Sequence, residues 1–223
     1  MGTSSRAAAA LALVLPLAGS GAALAQEGRG AFPLEDRLQL LVRPHSLLAI
    51  DGETGGEREQ SLELGEQVLS QGSDGRVGFA VTDRRILAIA VGSGAFQQAS
   101  FGRGESLAAP VALGDRVALF VTSRRVIGFD GGSGNLVETR LGVRESVRHT
   151  AVADSVAVVT TTRRALGLSP FRGGFFEVPL GLDDTEPELS ASSNVATLVT
   201  GSRILIFRAI TGAWEERRVG LGK

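Results

Sequence analysis

Cysteine is absent from all 223 residues, which excludes disulfides, thiol nucleophiles and cysteine-based zinc sites. Tyrosine is also absent, and lysine occurs once, at Lys223, against 22 arginines. The two histidines, His45 and His149, have no spacing that suggests a metal pair. The formal net charge is −1, and nothing in it suggests the clearly basic face that nucleic acid would need, so no nucleic-acid partner is expected. Prolines are few, and only the first 25 residues carry a strong helical period. No Ser-His-Asp order, G-x-S-x-G elbow, phosphate-binding loop or dinucleotide glycine pattern occurs, so the common catalytic signatures are missing.

What is present starts with an apolar stretch, Ala7 to about Leu17, after the single basic residue Arg6. Ala23-Leu24-Ala25 follows as an A-x-A site. This reads as a secretory signal peptide over 1–25, cleaved after Ala25, and predicts a secreted or periplasmic protein. The apolar run is short for a transmembrane span, and no cysteine follows it to carry a lipid. The expected mature chain, 26–223, has length for one domain with a substantial core and no stable membrane span.

The mature chain repeats itself. "VTDRR" (81–85), "VTSRR" (121–125), "TTTRR" (160–164) and "VTGSR" (199–203) place Thr82, Thr122, Thr161 and Thr200 at intervals of 40, 39 and 39. Gly55, Gly94, Gly134, Gly173 and Gly212 form a second ladder with the same spacing, and Glu27, Glu66, Glu105, Glu145 and Asp184 a third. Five units of about 39.5 residues fill the mature chain and leave no space for a second domain.

Each unit reads as short strands. In the third, "RVALFVT" (116–122) is the near-continuous apolar run of a strand buried on both faces. "RVIGFD" (125–130) follows after a very short connection, then the turn cluster "GGSGN" (131–135). Its recurring glycine suits a positive φ. "LVETRLG" (136–142) partly alternates, and "ESVRHTAVA" (145–153) is read as a fourth, outer strand. Four-stranded units of this length predict an all-β, five-bladed β-propeller. The last unit stops at Lys223, so "EGRGAFPLED" (27–36) is expected to supply the outer strand that closes the last blade. "RVALFVTSRRVIGFDGGSGNLVETRLG" and "NVATLVTGSRILIFRAITGAWEERRVGLG" resemble quinoprotein-like (PQQ-type) and WD-like repeats in their order of strand, corner, strand and glycine turn. The resemblance implies the fold alone. No quinone-binding residues match, and no cofactor is carried over.

The arginine ladder, Arg84, Arg85, Arg124, Arg125, Arg163, Arg164 and Arg203, and the acidic ladder, Glu66, Glu105, Glu145 and Asp184, are read as joints between blades, because what recurs in every blade serves every blade. The competing reading is a rim of guanidinium groups that binds an anion. Departures from the repeat are the candidate contacts: His45, in a His45-Ser46 pair where other units carry Arg-Arg; Phe171, Arg172, Phe175 and Phe176 in "SPFRGGFFEVP" (169–179); and Trp214. Asp51, Asp83, Asp115, Asp130 and Asp154 are the carboxylates a central hydrolytic site would use, but most stand beside turns. The expectation is a monomeric, non-catalytic binding or protein-interaction module in the cell envelope. The alternatives are a lectin-like binder of carbohydrate or an anionic ligand, and a glycoside hydrolase with central carboxylates.

Overall fold

A computed structural model describes residues 37–184 and 187–218, all within one compact unit, Pro33–Lys223. Five consecutive antiparallel sheets run along this chain, one per repeat, in the all-β architecture of a five-bladed β-propeller. The first holds β1 (Leu38–Val42), β2 (Ser46–Asp51) and β3 (Glu57–Ser61). The second holds β4 (Val68–Asp74), β5 (Val77–Thr82), β6 (Arg85–Ala90) and β7 (Gln97–Ser100). The third holds β8 (Ala112–Gly114), β9 (Val117–Val121), β10 (Arg125–Asp130) and β11 (Asn135–Arg140). The fourth holds β12 (Val147–Ala153), β13 (Val156–Thr161), β14 (Arg164–Ser169) and β15 (Gly174–Pro179). The fifth holds β16 (Glu188–Ser192), β17 (Val195–Val199), β18 (Arg203–Arg208) and β19 (Ala213–Arg218).

The two middle strands of the second to fourth sheets are almost wholly buried, as their unbroken apolar runs require. Apolar layers join each sheet to the next. Phe79 and Phe120 meet edge to face at 5.7 Å between the second and third sheets. Leu119, Val126, Leu166 and Leu168 pack between the third and fourth, and Val158, Phe207 and Trp214 lie between the fourth and fifth. Among the described residues no apolar cluster unites the fifth sheet with the first. Leu41, Val42 and Val199 on these end sheets are 38%, 41% and 37% exposed.

The phase of the blade differs from the sequence reading. The segment 145–153 is not the last strand of its own unit. Its strand, β12, pairs with β13 of the next unit through the two-residue loop Asp154-Ser155. Each complete sheet therefore begins with this strand. The fifth sheet likewise draws all four strands from 188–218, so it lacks no strand of its own. The segment 27–36, expected to close it, lies outside the described residues. Consecutive sheets are also tied at the loops between their first two strands. Arg37 N–H donates to Gly75 O, Arg76 N–H to Asp115 O, Arg116 N–H to Asp154 O and Ser155 N–H to Ser193 O, all at 2.7–2.9 Å.

Gly55, Gly134, Gly173 and Gly212 adopt φ of +71°, +72°, +65° and +65° in the turn before the last strand, as the glycine ladder predicts. The second sheet departs from it: the left-handed residue there is Gly92 rather than Gly94.

Candidate functional site

The Thr-x-Arg-Arg phrase forms the corner between the two middle strands of a sheet. Thr122 N–H donates to Arg125 O at 2.9 Å, and Thr122 Oγ1 accepts from Arg124 N–H at 3.2 Å and Arg125 N–H at 2.9 Å. The hydroxyls of Thr82, Thr161 and Thr200 accept the two matching amides. No corner residue has a positive φ, so these are not the primed turns usual in two-residue hairpins. The hydroxyl instead takes two amides that the corner would otherwise leave without a protein partner.

The two arginines then do different things. The second begins the third strand of its sheet and reaches back into the connector from the preceding sheet. Arg85 Nε and Nη2 each donate to Glu66 at 2.8 Å, Nη1 donates to Gln98 Oε1 at 2.6 Å, and Nη2 to Ser61 O at 3.1 Å. Arg125 binds Glu105, Glu138 and Ser100 O; Arg164 binds Glu145, Glu177 and Arg140 O; Arg203 binds Asp184, Glu216 and Pro179 O. Each ladder acid also accepts the amide three residues before it: Glu63, Gly102, Gly142 or Gly181. The acid side chains are at most 4% exposed. Burial works to raise the Glu66 carboxyl, but Arg85 and the Glu63 amide outweigh it and lower it from 4.5 to about 2. Arg203 first, then the Gly181 amide, lowers Asp184 from 3.8 to about 2 against the effect of burial. Glu105 and Glu145 are lowered by the same balance, with burial opposing. The second arginine of each corner, Arg85, Arg125, Arg164 or Arg203, thus ties its strand to the ladder acid of the preceding connector.

The first arginine lies in the corner itself and is exposed. It reaches the tip of the same connector and donates to a backbone carbonyl: Arg84 to Leu64 O at 3.0 Å, Arg124 to Arg103 O at 2.6 Å and Arg163 to Val143 O at 2.9 Å. The tips form a further ladder that the sequence reading missed, Leu64, Arg103, Val143 and Leu182, of which the first three are pinned by an arginine. Leu64, Val143 and Leu182 are 98%, 82% and 97% exposed. Large apolar side chains thus stand outward on the rim that carries the arginine corners.

A cleft of about 670 Å³ opens on this rim, lined by Ser123, Arg124 and Arg125 of the third corner and by segments 100–102 and 140–145. Four arginines and two glutamates face it: Arg124, Arg125, Arg140 and Arg144 against Glu105 and Glu145. Both carboxylates are committed to Arg125 and Arg164. Among the described residues no carboxylate lies within 4.0 Å of Arg124, Arg140 or Arg144. Arg140 stands directly across from Arg125 in the sheet, where Ser100, Pro179 and Arg218 occupy the matching places elsewhere. Arg144 holds φ +62° where the two preceding connectors carry Gly65 at +75° and Gly104 at +70°. A non-glycine residue there is strained, and the residue before each ladder acid would have shown it in the sequence: Gly65, Gly104, Arg144, Asp183.

The other candidates are dispersed. Phe175 packs between the third and fourth sheets, and Phe176 between the fourth and fifth. Trp214 lies 5.0 Å from the Phe207 ring and donates through Nε1 to Phe176 O at 2.9 Å, so its polar edge is used in packing. Phe171 is 44% exposed and Arg172 donates to Ile210 O at 3.3 Å. His45 is exposed at the first corner, where Ser46 Oγ donates to Glu59 at 2.6 Å in place of the arginine joint. Asp51 and Asp130 cap their turns, accepting amides from Glu53 and Thr54 and from Gly132 and Ser133. Asp83 accepts Gln67 N–H at 2.9 Å. Among the described residues no cluster of three metal-ligating side chains occurs, and no helix is long and apolar enough to cross a membrane.

No protein-family model and no curated protein matches the chain. Solved β-propeller structures do. Hsv2 of Kluyveromyces lactis is 11% identical, with 83% of each chain covered and a TM-score of 0.31. YCF48 bound to D1 peptide is 16% identical over 82% of this chain and 67% of that one, with a TM-score of 0.31. AztD from Citrobacter koseri is 13% identical over 80% of this chain and 58% of that one, with a TM-score of 0.35. At these identities the likeness concerns the fold alone.

Proposed function

We propose that the chain is an exported, non-catalytic binding module, with 1–25 as its signal peptide, that meets a protein partner in the cell envelope through the connector rim. The observation that carries this reading is the tip ladder. Leu64, Val143 and Leu182 stand almost fully exposed at equivalent positions, the first two beside arginines that pin the connector backbone. Exposed apolar side chains collected on one surface and edged by charge suit protein docking. The frame beneath them is rigid, because every connector is locked by its acid and the arginine that follows.

The cleft is poorly suited to acid–base hydrolysis. Its two carboxylates are lowered and held by arginines, whereas a general acid at neutral pH needs a raised pKa. The test is capture from native envelope extract with immobilised 26–223. Leu64→Ser, Val143→Ser and Leu182→Ser together should leave the thermal midpoint within about 2 °C of the parent, because exposed side chains add little to stability, and should abolish capture. Capture that survives the triple substitution refutes the rim.

A further inference from the structure

The cleft on the third sheet asks for a ligand of its own. It is the one described connector junction where arginine occupies the corner, the strand end and the left-handed connector position together: Arg124, Arg140 and Arg144. Arg140 sits opposite Arg125, an unfavourable like-charge pair across a sheet. The Arg125 charge is met by Glu105 and Glu138, whereas Arg140, Arg124 and Arg144 have no carboxylate within 4.0 Å among the described residues. The three guanidinium groups come from the corner (Arg124) and from the strand end and connector of segment 140–145 (Arg140 and Arg144), around a cleft of about 670 Å³, a space wider than one small oxyanion fills. Apolar side chains of Phe101, Leu141 and Val143 share the lining.

We propose that this cleft binds an extended acidic peptide segment of the partner, with at least two carboxylate side chains on the guanidinium groups and an apolar side chain against Phe101 and Leu141. The proposal rests on the reading of the rim as a protein-docking surface and names the chemistry of what docks there. Guanidinium groups suit carboxylates through paired N–H donors, and three centres spread around one cleft favour a ligand with several charges along its length. Arg144 would hold its strained backbone for the sake of its side chain, since glycine fills that position in the two preceding connectors at no such cost.

Fluorescence anisotropy with 26–223 tests it, using a labelled Glu-Leu-Glu-Asp-Leu-Glu peptide and its Gln-Leu-Gln-Asn-Leu-Gln counterpart. The acidic peptide should bind, the neutral one should not, and affinity should fall with rising salt. Arg124→Ala, Arg140→Ala and Arg144→Gly should each weaken binding by about 3- to 5-fold, and together by roughly 30-fold or more. Arg144→Gly restores the sister-repeat residue and keeps the fold, so loss of affinity in that variant reports the side chain. Arg208→Ala, which removes an exposed arginine of the fifth sheet, should change nothing. Equal affinity for both peptides, or an acidic peptide that binds the triple variant as tightly as the parent, overturns the proposal. So does inorganic phosphate that displaces the peptide at micromolar concentration, which would mark a small-oxyanion site. Failure here with tip-dependent capture intact removes the acidic peptide and leaves the docking rim standing. Loss of tip-dependent capture removes the rim itself.

Discussion

Replacing Arg85 with alanine removes the most buried of the four joints. The Arg85 side chain is 9% exposed and that of Glu66 0%. The substitution deletes two charge-assisted bonds to Glu66, one to Gln98 and one to Ser61 O, and leaves the Glu66 carboxylate buried with only neutral donors. Breaking one side of a buried pair costs about 3–5 kcal/mol. The carboxyl itself gives a separate measure: its fall from 4.5 to about 2 corresponds to about 3 kcal/mol at most. We take ~3 kcal/mol, which for a domain of this size lowers the thermal midpoint by roughly 6–12 °C. Circular dichroism melts at pH 7 measure it, with Arg208→Ala as control, because the Arg208–Glu215 pair is 52% and 40% exposed and should be worth less than ~1 kcal/mol. A second readout follows from the sign. Without Arg85, less opposes the effect of burial, and the Glu66 carboxyl rises from its place in the parent. The deficit of the variant against the parent is then largest at neutral pH and shrinks as acid protonates Glu66. Arg85→Met with Glu66→Leu should recover most of the loss, since an apolar pair needs no counter-charge. An Arg85→Ala midpoint no lower than that of Arg208→Ala would refute the joint.

Two further outcomes are expected. The ladder acids are lowered in the folded chain, Glu66 and Asp184 to about 2, so their stabilisation is complete above the ordinary carboxylate range and is lost as pH falls through about 4.5 to 2; urea midpoints measured from pH 7 to pH 2.5 should decline mainly below pH 4.5. Arg144→Gly should raise stability by about 0.5–1 kcal/mol, because it relieves a left-handed arginine at the cost of a more flexible unfolded chain; an unchanged or lower thermal midpoint would mean that the φ of +62° carries no strain.

Much of the architecture is legible in the sequence because it is repeated. Three ladders at 39–40 residues give the number of sheets, and the apolar runs such as 116–122 give the buried middle strands. The phase was harder to read, since strand pattern says how a segment lies and not which sheet edge it joins. The deciding signal is local: only two residues, Asp154 and Ser155, separate β12 from β13, and Gly75-Arg76, Asp115-Arg116 and Ser193-Asn194 make the equivalent tight loops. The six residues 141–146 that separate β11 from β12 are the true passage between sheets. The arginine pair was legible as a joint, but strand alternation cannot assign its members, because Arg124 lies in the corner and only Arg125 in the strand. Arg140 and Arg144 are hidden in the sequence for a different reason. A ladder marks residues that recur, and these two matter where the recurrence fails.

The central claim is that the two arginines of a corner divide the work, one holding the sheets together and the other serving the rim. Arg124→Ala and Arg125→Ala, compared for thermal midpoint and for anisotropy of the acidic peptide below both midpoints, test it most directly. The structure predicts that Arg125→Ala lowers the midpoint by roughly 5–10 °C, and that Arg124→Ala lowers it by less than ~3 °C while weakening the peptide about 3- to 5-fold. Equal loss of stability in the two variants, or a midpoint that falls further for Arg124→Ala, would contradict it.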